Sequence, residues 1–121
     1  MSRGLYKNLI VWQKSIELVK DIYILSESLP KSEEYNLKQQ LKRAVISVSL
    51  NIAEGKTKRT SKNFAYFLNT AVASLAEVEA ILTTCEELKY LQGINDTYDN
   101  IENLGKMLNS LKNKLQPKEI K

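Results

Sequence analysis

The sequence predicts an all-α protein, an antiparallel up-and-down four-helix bundle, and three observations carry that prediction. Apolar residues recur at intervals of three and four along the whole chain. No stretch of alternating Val, Ile or Thr reads as a strand. Only 4 Gly and 2 Pro occur in 121 residues, too few for the turns of a sandwich or barrel. A chain of this length makes one domain, residues 1–121, around one core.

The first helix is expected over about 8–28. Val11, Ser15, Leu18, Ile22 and Leu25 share one face, and Trp12, Ile16, Val19 and Tyr23 lie on the adjacent one. Pro30 ends it, because proline cannot continue the hydrogen-bond ladder. The second is expected over about 33–54, with Ser32 as N-cap and Glu33 and Glu34 at its positive end. Gly55 would then close it in the left-handed conformation. Two apolar stripes run along this helix: Leu41, Val45, Val48 and Ile52 form one, and Ile46, Leu50 and Ala53 the other.

The third helix, about 61–91, follows Thr60 and Ser61, either of which suits an N-cap, and Gly93 closes it. Its seam is Phe64, Leu68, Ala71, Leu75, Val78, Leu82 and Cys85. The fourth, about 96–115, takes Asn95 or Asp96 as cap and stops before Pro117. It buries Tyr98, Ile101, Leu104, Leu108, Leu111 and Leu115, and its interior Gly105 suggests a close helix approach.

Two features point to self-association. At 1.5 Å per residue the third helix would measure about 45 Å against about 30 Å for the first and fourth. About ten residues of seam would then lack a partner within the chain. The second stripe on helix two also asks for a neighbour, unless that helix sits centrally and satisfies both stripes internally.

The residues present exclude several chemistries. Histidine is absent, which removes Ser-His-Asp and Cys-His arrangements, imidazole zinc sites and Glu-x-x-His di-iron bundles. The single Cys85 closes no intrachain disulfide and builds no thiolate cluster. Glu77, Glu79, Glu86 and Glu87 mostly point in different directions, so they read as a solvated face; no metal, no cofactor and no enzyme activity is expected. No apolar run approaches the roughly 18 residues of a membrane span, and the start has no signal-peptide pattern. The expectation is a reduced, cytoplasmic protein with no membrane partner.

The net charge of +4 hides a strong segregation. Residues 38–62 hold seven bases against Glu54, residues 63–105 hold seven acids against Lys89, and residues 106–121 return to +4. The densest cluster is the connection Gly55-Lys56-Thr57-Lys58-Arg59-Thr60-Ser61-Lys62. Cations beside hydroxyls at a helix N-terminus favour phosphates. Lys56, Lys58, Arg59 and Lys62 are therefore the primary candidates for nucleic-acid contact, with Lys38, Lys42 and Arg43 in support. The competing reading is a solubilising loop, against which the clustering of one sign argues. No phosphate-loop motif and no aromatic sheet motif is present, and Trp12, Tyr23, Phe64 and Phe67 read as core aromatics. Contacts to backbone and shape are expected. The polar line Arg43, Ser47, Asn51 and Glu54 on helix two reads as a structural network that fixes register, with Arg43 reaching a carboxylate within the chain or across a subunit boundary.

Specific runs carry a resemblance. Val11-Trp12-Gln13-Lys14, Ile22-Tyr23, Leu29-Pro30 and Gln40-Leu41-Lys42-Arg43-Ala44 lead through Ser47 to Asn51-Ile52-Ala53-Glu54-Gly55. Phe67-Leu68, Ala71 and Ser74-Leu75-Ala76-Glu77 continue it, so that nearly the whole chain resembles the 23S rRNA intervening-sequence proteins. Members are small bacterial proteins often encoded in insertions within 23S ribosomal RNA genes. A related branch comprises the accessory variability determinants of diversity-generating retroelements, which associate with nucleic acid and a reverse transcriptase. The resemblance implies a homopentameric barrel of four-helix bundles with a basic surface and no known enzymatic activity. Lys42 stands where arginine often precedes Arg43, Asn63 where an acid is common, and Ala73 where glycine is frequent. The expected function is thus a non-enzymatic, oligomeric nucleic-acid-binding protein, with RNA favoured over DNA. The alternative is an interaction scaffold or accessory subunit docking an acidic or reverse-transcriptase-like partner.

Overall fold

A computed structural model describes residues 4–115. Four helices are present, α1 (Ile10–Ser26), α2 (Leu37–Lys56), α3 (Ser61–Glu87) and α4 (Asn95–Leu115). A short 3-10 turn, Leu5–Asn8, packs against α1 and α2, and a second, Lys31–Glu33, lies between those two helices. The described residues contain no strand. Pro117, expected to stop α4, lies outside them.

The ring order follows from which helices touch: α1 meets α2 and α4, α3 meets α2 and α4, and among the described residues neither diagonal pair packs. Paired side chains give the sense of each neighbour. Glu27 lies beside Lys38 while Tyr23 lies beside Lys42; Gly55 lies against Phe67 while Ser47 bonds Ser74; Glu86 bonds Tyr98 while Asn69 bonds Lys112. In each pair one numbering rises as the other falls, the pattern of an up-and-down bundle.

The core is the first stripe of α2 set against the seams of the other helices. Leu41, Val45, Val48 and Ile52 have no exposed surface, and neither do Ile22, Leu68, Val78, Leu82, Cys85 and Leu108. Full burial of such a side chain is worth roughly 1.5–3 kcal/mol. Three serines sit on core faces, Ser15, Ser26 and Ser49, and each hydroxyl donates to the carbonyl three residues earlier at 2.6, 2.7 and 3.0 Å. They keep the helices close without leaving a buried donor unpaired. The same core accounts for the apolar character of α3, the one described helix with an 18-residue window of low charge and mean hydropathy 1.3.

Several boundaries differ from expectation, each for a local reason. The α1–α2 connection is longer, and α2 begins at Leu37 rather than near Glu33. Asn36, not Ser32, precedes the helix, and its side chain is held by Glu33 Oε1 at 2.9 Å; Glu33 Oε2 also accepts from the Tyr90 hydroxyl at 3.1 Å. At its other end α2 runs through Gly55, whose φ is not positive. Gly55 is needed for space instead. A Cβ there would lie 2.9 Å from both Phe64 Cδ1 and Phe67 Cβ.

Helix α3 stops at Glu87, four residues early, in a Schellman motif built on Lys89. Lys89 has φ 65, its N–H donates to Glu86 O at 2.9 Å, and the Tyr90 N–H donates to Cys85 O at 2.8 Å. The expected unpartnered seam is therefore absent: the described apolar seam of α3 is covered within the chain. Leu29, Leu91 and Ile94 of the connecting segments belong to the same buried cluster as Leu82 and Cys85. The second stripe of α2 behaves otherwise. Leu50 is 61% exposed, with Ile46 and Ala53 only partly covered, so this stripe faces outward.

Candidate nucleic-acid interface

The α2–α3 connection is short and tightly bonded. Thr57 N–H and Lys58 N–H donate to the carbonyls of Glu54 and Gly55, and the Thr57 hydroxyl donates to Glu54 O at 2.7 Å. Thr60 caps α3, its Oγ1 accepting from Asn63 N–H at 3.1 Å. These bonds hold Lys56, Lys58, Arg59 and Lys62 around one corner of the bundle.

The four cations are not equivalent. Lys58 Nζ lies 3.7 Å from Glu54 Oε2 and 4.9 Å from the centre of the Phe67 ring. Lys56 Nζ stands over Phe64 at 5.8 Å. Both stems are thus braced by the aromatics that Gly55 admits. Arg59 and Lys62 are exposed, and among the described residues neither has a carboxylate within 4.0 Å. With Lys56, which also has no described carboxylate within that distance, they carry the uncompensated charge.

The supporting candidates separate from this cluster. Lys38 and Lys42 lie roughly 27 and 21 Å from Lys56 along α2. Lys38 is 11% exposed and pairs with Glu34 at 3.1 Å and Glu27 at 3.6 Å. The Glu34 hydrogen bond and the Glu27 carboxylate hold its ammonium above the ordinary lysine range. Lys42 lies 3.9 Å from Glu27 and 4.8 Å from the Tyr23 ring centre. Arg43 is exposed, also near the far end of α2. These three do not extend the patch; they belong to the opposite, acidic end of the molecule.

The polar line is only partly realised. Ser47 Oγ pairs with Ser74 Oγ at 2.8 Å, and the Asn51 amide donates to Ser47 O and Oγ at 2.8 and 3.0 Å. Ser74 of α3 is the member that sequence reasoning missed. Arg43 does not join this network, and Glu54 pairs with Lys58. Ser47 alone makes the cross-helix bond, with Asn51 held to it within α2, and the side chains of Arg43 and Glu54 take no part.

Antiparallel packing adds cations that the linear reading left in a separate group. The last turns of α4 arrive at the same end as the α2–α3 connection, bringing Lys112 and Lys114. Lys112 Nζ donates to Asn69 Oδ1 at 3.2 Å, on α3 two turns beyond Lys62. The basic C-terminal run was visible in the charge pattern; its position beside the connection was not. Conversely, Glu33, Glu34 and Glu86 gather at the far end, where Tyr90 and Tyr98 donate to Glu33 and Glu86. The bundle is electrically polar along its length. Among the described residues no group of three or more metal-ligating side chains converges.

Comparison with known proteins agrees with this architecture. The family model described as 23S rRNA-intervening sequence protein matches residues 7–110. A solved structure of a protein of unknown function from the S23 ribosomal protein family of Bacteroides thetaiotaomicron is similar to this chain. It has 26% identity and a TM-score of 0.68 over 85% of this chain and 94% of that one. No curated protein matches the sequence.

Proposed function

The chain belongs to the 23S rRNA-intervening sequence protein family, and on that premise we propose that it is a non-enzymatic, oligomeric nucleic-acid-binding protein. RNA is the favoured ligand, and the phosphate backbone is held at the basic end of the bundle. One observation carries this reading: Arg59 and Lys62 are exposed without a carboxylate partner among the described residues, beside Lys56 and Lys58. Neutralising phosphates there would release condensed counterions, which makes affinity fall steeply with salt. Neither the family description nor that of the structural neighbour names an activity.

The proposed assembly would fit the same reading. The outward stripe Ile46, Leu50 and Ala53 gives α2 an apolar face suited to a second copy. A ring of copies, five by family resemblance, would repeat the basic end and add weak contacts through avidity. The Cys85 thiol is buried, and burial and then the Glu33 carboxylate raise its pKa, which keeps it unreactive.

Fluorescence anisotropy of a labelled RNA across a potassium chloride series tests the proposal. Arg59→Ala and Lys62→Ala should each flatten the slope of log affinity against log salt by about one unit. Lys38→Ala, whose ammonium is already engaged, should leave the slope unchanged. Affinity indifferent to salt and to both substitutions would refute the assignment. Native mass spectrometry should show an oligomer for the unaltered chain and its loss in Leu50→Glu.

A further inference from the structure

We propose that the basic end takes single-stranded rather than duplex RNA, with Tyr66 as the platform on which one unpaired base stacks; this rests on the nucleic-acid reading above. Tyr66 is 66% exposed; Tyr35 and Tyr23 are exposed as well, but they lie toward the acidic end, and Tyr66 is the exposed tyrosine beside the basic connection. It lies nine residues before the buried Leu75, two and a half turns, so the helix aims it away from the core. Its aromatic packing within the described residues is an edge contact with Phe67, not a place in the core.

Its surroundings fit a base. Lys62 is one turn earlier on the same face, about 6 Å along the axis, and Arg59 lies just beyond in the connection. A phosphate on Lys62 brings its own base level with the Tyr66 ring. The ring is also steadied. It stands edge-on to Phe67, 5.4 Å between centres and 89° between planes, and Phe67 in turn carries Lys58 Nζ at 4.9 Å. Bracing by one edge contact leaves surface of the ring open to solvent and reduces the ordering needed on binding.

Strand state follows from the chemistry. Every base has a π face, so stacking on an aromatic tolerates sequence, but in a duplex those faces are already stacked on one another. The deep, narrow major groove of an A-form RNA duplex keeps side chains from its bases, so a helix surface meets it mainly through phosphates and 2′-hydroxyls. Phosphate contacts alone would hold both forms; Tyr66 favours the single strand.

Full-length protein, a labelled short oligouridylate and an RNA duplex of equal length test this by anisotropy at one salt concentration. Tyr66→Ala should weaken oligouridylate binding at least about fivefold, the lower end of measured base–aromatic stacking. Duplex binding should stay unchanged, and a potassium chloride series on the Tyr66→Ala protein should give an unchanged salt slope. Tyr66→Leu, which keeps apolar bulk without the π face, should lose the same amount, and Tyr66→Trp should retain binding. Oligouridylate affinity unmoved by Tyr66→Ala, or an equal loss for duplex and single strand, would overturn the inference. Failure of the Arg59 and Lys62 substitutions to alter the salt slope would instead overturn the phosphate assignment, so the two readings fail separately.

Discussion

The two glycines inside helices α2 and α4 should respond in opposite directions to the same substitution, and the geometry fixes both signs. At Gly55 an added methyl would lie 2.9 Å from Phe64 Cδ1 and 2.9 Å from Phe67 Cβ, where ordinary contact begins at 3.4 Å. The Phe64 ring has some freedom to turn. Phe67 Cβ has none, because it is fixed to the α3 backbone, so α2 and α3 must separate locally. Overpacking of this kind costs about 1–3 kcal/mol. The gain in helix propensity is below the roughly 1 kcal/mol of an interior position, since Gly55 is one residue from the end of α2. The net expectation for Gly55→Ala is a loss of about 1–2 kcal/mol.

At Gly105 the nearest atom to an added methyl is Leu75 Cδ2 at 3.6 Å, an ordinary contact. The close approach expected there from sequence is not made. Gly105→Ala should therefore stabilise by about 0.5–1 kcal/mol through backbone entropy alone. Urea unfolding of both variants at one protein concentration provides the assay, because assembly would otherwise shift the midpoints. Their thermal midpoints should differ by about 8 °C for a domain of this size. A Gly55→Ala chain as stable as the unaltered one would refute the steric account of the α2–α3 corner. It would also remove the reason given for how Phe64 and Phe67 come to lie beneath Lys56 and Lys58.

Two further outcomes are expected. Lys89→Gly should stabilise the protein by about 1 kcal/mol, since Lys89 holds φ 65 at the end of α3 and glycine meets no Cβ penalty there; an unchanged or lower urea midpoint would contradict it. The Tyr98 phenol is raised above its ordinary value of 10.0 by burial and by its 2.6 Å bond to Glu86 Oε1, so the folded state keeps a proton that the unfolded state releases. That contribution is complete below about pH 10 and is lost as pH rises through the folded value, so stability should fall there, and less steeply in Tyr98→Phe; equal alkaline slopes in urea unfolding would contradict it.

Much of this molecule was set by local pattern. The spacing of Leu41, Val45, Val48 and Ile52, of Leu68, Leu75 and Leu82, and of Ile101, Leu104 and Leu108 commits each segment to a helix with one buried face. Thr60 was readable as a cap because a short hydroxyl before a helical run satisfies amides that only nearby atoms can reach. The basic connection was equally plain, because a run of like charges belongs to the linear chain.

Tertiary structure decided everything that depends on which distant residues become neighbours. It gave Gly55 a packing role instead of a closing one, because Phe64 and Phe67 fold back onto it. It ended α3 on a lysine rather than on Gly93, with Tyr90 bonded to Glu33 beyond the turn. It divided the cations, neutralising Lys38 against Glu27 and Glu34 while bringing Lys112 toward the corner that Lys62 occupies. On α3 it turned Tyr66 outward and Ser74 toward Ser47 of α2. Periodicity assigns a residue to a face, but only the packed neighbours determine whether that face meets protein, charge or water.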